Sequence, residues 1–573
     1  MKQIIDISKE WLFSADEAVN GKVFSETKIS LPFFHSASDM PCGTFSTLWT
    51  PTEAEDGRTV YLEFSQISGD AQIYLDDTKI GFHSGSPCSF RVLLTLEAVM
   101  GKEYSIKVRV TPKARADSMF VFAGVSLICI DSSHFNMTDY GKGVYAEYTL
   151  KDNTAEITIN TQVVRPNNYD VVAYTVTDMQ GNTVFSKTCK PTEPVCSFTM
   201  ENPELWDGQS GAYLYKLEAR LLRDSRCLDE IRTEFGIREI TYSTDGFLYL
   251  NGFRLPLCGI SLTDCSHIKT DSAYLKELDG NILLSSLLPS KTNLLSLADK
   301  QGMLFWYVLP FGGDTENDKE FLREFLLLYR NHPSLAGVVF SCESDTDYFN
   351  CLSAVLKEYA PKAEAIIQRN IDCAVNNIPE NAKTVLLTIP YSSSPDSFIS
   401  VSGRFCDLQN AYPDKYFAII PEDTDKTKAI PEEMNDWHIR LWSTFCRQKN
   451  VIAYIGGLLT DGKYTESARG LINNSRELCY DAFWFYRSQF SSKSFIKICE
   501  ATETETENKA TDIRCITNCS NLRILVNGKD KKYKAEKITD GVYVFRQIKL
   551  KKDVNLIEVS ADDEYDNTEI IRY

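Results

Sequence analysis

The sequence predicts a multidomain chain of α and β elements, with β-sandwiches on either side of a (β/α)8 TIM barrel. Three observations carry that prediction. Segments such as Val60–Ile67 and Ser105–Val110 alternate apolar and polar residues, the period of a half-buried strand. From about residue 244, short runs that are apolar on both faces alternate with helical patterns, as in a parallel sheet. Beyond residue 500 the alternating strands return.

Composition bounds the function. A chain of 573 residues exceeds one ordinary core and suits three to five domains. A hydrophobic content of 43% with 12% aromatics supplies those cores. The formal charge of −18 argues against a nucleic-acid or anionic-membrane partner. No apolar run approaches the ~20 residues of a membrane span, and Met1–Glu10 lacks the apolar core of a signal peptide. Seventeen cysteines are scattered, some within apolar runs (Cys129, Cys258, Cys342, Cys446), without a Cys-x-x-Cys pair. That is the pattern of free thiols in a reducing compartment, and the cytoplasm is the expected location. Six histidines, none at ligand spacing, predict no metal site, and no cofactor is expected.

The elements follow in order. Residues 1–137 read as a jelly-roll sandwich, with Trp11 and Phe13 as core anchors and Asp76, Asp77 and Gly81 as turn residues. Residues 138–243 repeat the theme at smaller size. Ala155–Val164 and Tyr213–Leu221, with the turn-rich Glu201–Gly208 between them, fit an immunoglobulin-like sandwich. Residues 244–492 open with a hairpin turning at Asn251-Gly252. Eight apolar runs follow: Leu257–Ile260, Ile282–Ser285, Met303–Leu309, Gly337–Ser341, Ala365–Ile367, Val385–Ile389, Phe417–Ile420 and Val451–Ile455. Helical stretches such as Asp318–Arg330 and Asp436–Gln448 lie between them, which matches a (β/α)8 barrel in number and length. A charged, threonine-rich linker, Ala501–Ala510, leads to a small C-terminal sandwich over 493–573, with a second hairpin signal at Asn527-Gly528.

Within the barrel, Asn331–Glu343 reads as a helix end, a break at Pro333, a buried strand, and a carboxylate just past it. A residue in that position lies on the rim where barrel chemistry occurs. On these residues alone, Glu343 is either a catalytic acid or a solvated loop glutamate. His332 reads as a structural hydrogen-bonder. Trp437 and Trp442 read as packing residues before they read as sugar platforms.

Several phrases together resemble glycoside hydrolase family 2, the family of β-galactosidases, β-glucuronidases and β-mannosidases. Val60–Phe90 resembles its sugar-binding domain. Leu205-Trp206 with Tyr213–Leu217 resembles the close of its second domain, and Phe235–Ile240 with Leu248–Gly252 the entry to its barrel. Arg330–Ser334 with Glu343 resembles the phrase that carries the acid/base, and Leu522–Lys529 the additional C-terminal sandwich of some members. The resemblance covers nearly the whole chain, in order. It implies a retaining mechanism in carbohydrate metabolism, with Glu343 as acid/base and Glu422 as nucleophile, on a carbohydrate substrate. Asp423 and Asp425 leave the register of the nucleophile open by a residue or two. The oligomeric state is left open.

The same comparison exposes departures. Cys342 stands where the family has an asparagine that holds the sugar, Leu284 where it has an arginine and Leu287 where it has a histidine. Cys258–Asp264 lacks a further Arg and His, and Ala453–Asp461 lacks a tryptophan. Leucine cannot replace a charge-assisted guanidinium fork. Two readings follow. One is a divergent β-glycosidase whose pocket uses other groups, with Cys342, Asp264, Trp306, Tyr391 and Trp437 as substrate-binding candidates. The other is a degenerate barrel retained for carbohydrate binding or scaffolding.

Overall fold

The computed structural model describes residues 2–16, 26–36, 40–84, 88–112, 119–138, 141, 143–263, 267–287, 293–310, 314–341, 346–372, 378–391, 395–422, 431–461, 470–499, 505–561 and 563–573. Its amino-terminal part consists mainly of two antiparallel sheets. One runs Gln3–Asp6, Val125–Ile130, Thr59–Phe64, Phe90–Thr95. The other runs Thr27–Ile29, Trp11–Ala15, Gly43–Trp49, Tyr104–Thr111, Asp70–Leu75, Thr78–Ser84. Trp11 and Phe13 are buried, with Phe45, Phe64 and Phe122 in the same core, so both expected anchors are core residues. A second sandwich follows, its three-stranded and four-stranded sheets closing over Ile157, Tyr174, Leu217 and Phe235.

The eight apolar runs are all strands of one closed parallel barrel. They are β1 (Leu257–Leu262), β2 (Ile282–Ser285), β3 (Leu304–Val308), β4 (Leu335–Ser341), β5 (Glu364–Asn370), β6 (Thr384–Pro390), β7 (Tyr416–Glu422) and β8 (Val451–Leu458). The helices are α1 (Ile268–Leu278), α2 (Leu294–Gln301), α3 (Thr315–Tyr329), α4 (Thr346–Tyr359), α5 (Pro395–Ala411), α6 (Pro431–Phe445) and α7 (Asp481–Phe490). One follows each strand except β5, after which no helix occurs among the described residues. Strand alternation divides the apolar side chains into two clusters. Leu284, Trp306, Val339, Ile366, Leu386 and Ala418 fill the lumen. Leu283, Phe305, Phe340, Ile367, Leu387 and Ile419 face outward against α3, α4, α5 and α6.

A small sheet of Ile240–Tyr242, Leu248–Leu250 and Phe253–Arg254 contributes Leu248 and Leu250 to the lumen cluster and closes the amino-terminal end of the barrel. Its turn holds Asn251 and Gly252 at φ +50° and +82°, the left-handed pair that a tight hairpin requires. The carboxy-terminal part forms four-stranded and five-stranded sheets. There the expectation for the linker needs correction. Glu505–Thr506 pairs in parallel with Ile571 and Arg572, so two residues within Ala501–Ala510 form a short edge strand. Edge pairing is made by backbone groups and places little demand on side chains, so a charged, polar segment can supply it.

The turn before β4 fastens the barrel to the second sandwich. Asn331 donates through Nδ2 to the Val144 carbonyl at 3.1 Å and accepts through Oδ1 from the Ala146 amide at 3.0 Å. The buried Arg238 guanidinium donates to the carbonyls of Pro333 and Leu335 at 2.5 and 2.9 Å. His332 Nδ1 lies 2.6 Å from Asp299 Oδ2, and Asp299 also accepts from the Ser334 amide, in keeping with a structural role for His332.

Candidate active site

β4 and β7 run parallel and finish on the same face of the barrel, the face on which barrel enzymes build their sites. β4 ends at Ser341, two residues before Glu343, and β7 ends at Glu422, whose backbone is in register with Pro390 of β6. Cys342, Glu343 and Asp264 lie outside the described residues, as does the Glu422 side chain. The described chain therefore places the two strand ends that lead to Glu343 and Glu422 on one face of the barrel.

The floor beneath that rim is apolar. Leu284 of β2 is in register with Trp306 of β3, and both are buried in the lumen. Trp306 in turn is in register with Gly337 of β4. A Cβ on Gly337 would lie 2.7 Å from Ile366 Cδ1 and 3.0 Å from Trp306 Cδ1. The indole thus occupies the space a larger residue at 337 would need, and Trp306, with 2% exposure, forms the floor rather than a surface platform. The leucine in place of the family's arginine packs beside it.

Tyr391 and Trp437 are brought together elsewhere. Their rings meet edge to face, 5.3 Å between centroids, in the core outside the strands, Trp437 on α6 and Tyr391 just past the end of β6. Both are buried. Trp442 also packs, its ring 4.8 Å from that of Tyr454. Next to Trp437, His438 Nδ1 is 2.7 Å from the Tyr486 hydroxyl, which lies 3.3 Å from that of Tyr454. Complete burial drives the His438 pKa down to about 3, so its imidazole is neutral at physiological pH. Gly457 of β8, at φ +96°, fits between this imidazole and Pro421, the residue before Glu422: a Cβ there would be 3.8 Å from His438 Cε1 and 3.5 Å from Pro421 Cγ. Past β8, Asp461 accepts from the Tyr480 hydroxyl and from the Gly470 amide, both at 2.9 Å.

Two polar residues on the rim were not among the sequence candidates. Ser341 and Gln368 are in register across β4 and β5, and the Ser341 hydroxyl donates to Gln368 Oε1 at 2.7 Å. The signal was available: in Glu364-Ala-Ile-Ile-Gln-Arg-Asn, Gln368 lies two residues after the inward Ile366. Among the described residues no cluster of His, Cys, Asp and Glu could hold a metal ion.

Comparison with known proteins agrees with this architecture. The family model described as glycosyl hydrolases family 2 matches residues 142–238, the second sandwich and its junction with the barrel. Over those residues the chain is similar to that family. A β-glucuronidase of Bacteroides fragilis is 23% identical, the match covering 98% of this chain and 92% of the relative. A β-galactosidase of Thermoanaerobacter pseudethanolicus is 25% identical over 49% of this chain and 42% of its own length. Among solved structures, an FMN-binding β-glucuronidase from Facaelibacterium prausnitzii L2-6 superposes with a TM-score of 0.85 at 19% identity, covering 100% of this chain and 98% of the other. A β-galactosidase-like structure from Bacteroides fragilis reaches the same TM-score at 18% identity and the same coverage. The likeness in fold therefore extends to the whole architecture, sandwiches and barrel alike.

Proposed function

We propose that this chain is a glycosidase that hydrolyses O-linked β-glycosides by a retaining, two-carboxylate mechanism in carbohydrate metabolism. The observation that carries the proposal is the shared rim: β4 ends two residues before Glu343, and β7 ends at Glu422 on the same face of one barrel. In this mechanism the Glu343 carboxyl protonates the glycosidic oxygen while the Glu422 carboxylate attacks the anomeric carbon. The bond to the leaving group breaks and a glycosyl ester forms. Glu343, now ionised, takes a proton from water, whose oxygen attacks the same carbon and releases Glu422. The relatives named β-glucuronidase and β-galactosidase support the reaction class. Cys129, Cys258 and Cys446 are free thiols, which supports a reducing compartment, and we place the activity in the cytoplasm.

The test is hydrolysis of a panel of aryl β-glycosides, the β-glucuronide and β-galactoside included, by the wild type, Glu343→Gln, Glu422→Gln and the double variant. The expected result is wild-type turnover that falls by at least about a thousandfold in each glutamine variant. Wild-type rates no higher than those of the double variant on every sugar would overturn the proposal.

A further inference from the structure

The Ser341–Gln368 pair has no role in the two-carboxylate chemistry, yet it occupies the lumen side of the rim. Val339 precedes Ser341 by two residues on β4, Ile366 precedes Gln368 by two on β5, and Leu386 is the register partner of Gln368 on β6; all three belong to the lumen cluster. Alternation therefore points Ser341 and Gln368 to the same side. Ser341 is exposed and Gln368 half-buried, so both are open to the mouth. Below them lie Leu284, Trp306 and Ile366 of the apolar lumen cluster. One end of the Gln368 carboxamide is engaged by Ser341, and the other end has no partner among the described residues. A carboxamide has both donor and acceptor capacity, so the free end can meet a group that also has both. A sugar hydroxyl is such a group.

We propose that Gln368, braced by Ser341, is a specificity residue that hydrogen-bonds a ring hydroxyl of the sugar held beside Glu343. The inference rests on the glycosidase reading and adds a contact to it. It accounts for how a rim that has lost the family's polar groups at 284, 287 and 342 can still read a sugar. A hydroxyl pressed against Trp306 and Leu284 without a partner would be left unsatisfied, and Gln368 is the described side chain that supplies the bond. Gln368 is on the strand next to the one that leads to Glu343.

The experiment compares wild type, Gln368→Ala and Ser341→Ala on p-nitrophenyl β-glycosides and their monodeoxy analogues, with melting temperatures taken to establish that each variant is folded. For the wild type, kcat/KM should fall about tenfold or more on one particular deoxy analogue. Gln368→Ala should lose a similar factor on the parent glycoside, mainly through KM, and lose nothing further on that analogue. Ser341→Ala should show the same pattern at smaller size. The inference is overturned if Gln368→Ala keeps wild-type kcat/KM, or if its penalty is the same on every analogue. Binding of the same glycosides to the Glu343→Gln, Glu422→Gln double variant, with and without Gln368→Ala, is measured in parallel by calorimetry. A wild type without turnover whose double variant binds sugar about tenfold more weakly after Gln368→Ala would sink the hydrolytic reading and leave this contact standing. Binding unaffected by Gln368→Ala would sink the contact alone.

Discussion

Asn331 accepts a hydrogen bond from the Ala146 amide at 3.0 Å, which makes a side chain of the barrel an edge partner for a strand of the second sandwich. Its Nδ2 completes the pairing on the Val144 carbonyl. Replacing Asn331 by Ala leaves a backbone donor and a backbone acceptor without these partners. A loss of about 2 kcal/mol is expected, read as a lower denaturation midpoint. Asn331→Asp keeps the acceptor but sets a carboxylate against the Val144 carbonyl, and should be at least as damaging above pH 5. An Asn331→Asp variant of wild-type stability would show that the Val144 bond contributes nothing.

Gly337→Ala tests the floor of the site. The added methyl meets Ile366 and Trp306 within 2.7 and 3.0 Å, so the indole or the strand must shift. Overpacking of this kind typically costs about 1–3 kcal/mol. Trp306 should report it directly, as a changed tryptophan emission spectrum together with a lower melting temperature. An unaltered spectrum with unchanged stability would mean that the lumen has slack at this point.

Glu364 lies at the start of β5, at the closed end of the barrel, where the Tyr242 hydroxyl donates to its carboxylate. Burial raises its pKa to about 7, with the nearby Thr384 and Lys383 opposing. The folded state therefore holds its proton more tightly than the unfolded chain. The resulting stability is complete below the unfolded value near 4.5 and is lost as pH rises through about 7. Allowing for its partial exposure, the wild type should lose about 2 kcal/mol across that window relative to Glu364→Gln. Parallel stability profiles for the two proteins would refute the assignment.

His438 works in the opposite direction. Its pKa is depressed to about 3 by burial, so between that value and 6.5 the unfolded chain binds the proton that the folded chain refuses. Its contribution is present above pH 6.5 and drains away as pH falls toward 3. The slope it adds is at most about 1.4 kcal/mol per pH unit. Chemical denaturation at stepped pH should show a flatter acid limb for His438→Asn than for the wild type. Identical acid limbs would mean that His438 accepts a proton in place.

Much of the fold was legible because it rests on period and punctuation. β6 and β8 declared themselves as apolar runs, and Asn251-Gly252 declared its hairpin because those residues accept positive φ. The sites of Trp306 and Tyr391 were harder to foresee. One lies within a strand and the other directly follows one, and only the closed barrel shows that the first fills the lumen while the second packs against Trp437 on the outside. Gln368 was missed for a related reason. A glutamine before Arg369 and Asn370 reads as the polar end of a strand, and its direction becomes meaningful only when Ser341 is seen beside it. The junction of Asn331 and Arg238 with the sandwich could not be read at all, since it joins residues about ninety or more positions apart through backbone groups that carry no sequence signature.

β4 is a short rod, seven residues and about 20 Å long, with one end gripped by Asn331 and Arg238 and the other leading to Glu343. A parallel strand clamped in a closed barrel resists stretching and slides only as a unit, so a displacement at the grip reappears at the rim. Selection acting on the rim can therefore find useful variation in the sandwich, at positions such as Val144 and Arg238 that lie toward the opposite end of the strand. Changes there would act as coarse adjustment of the reacting end, leaving the residues of the mouth to supply the fine adjustment.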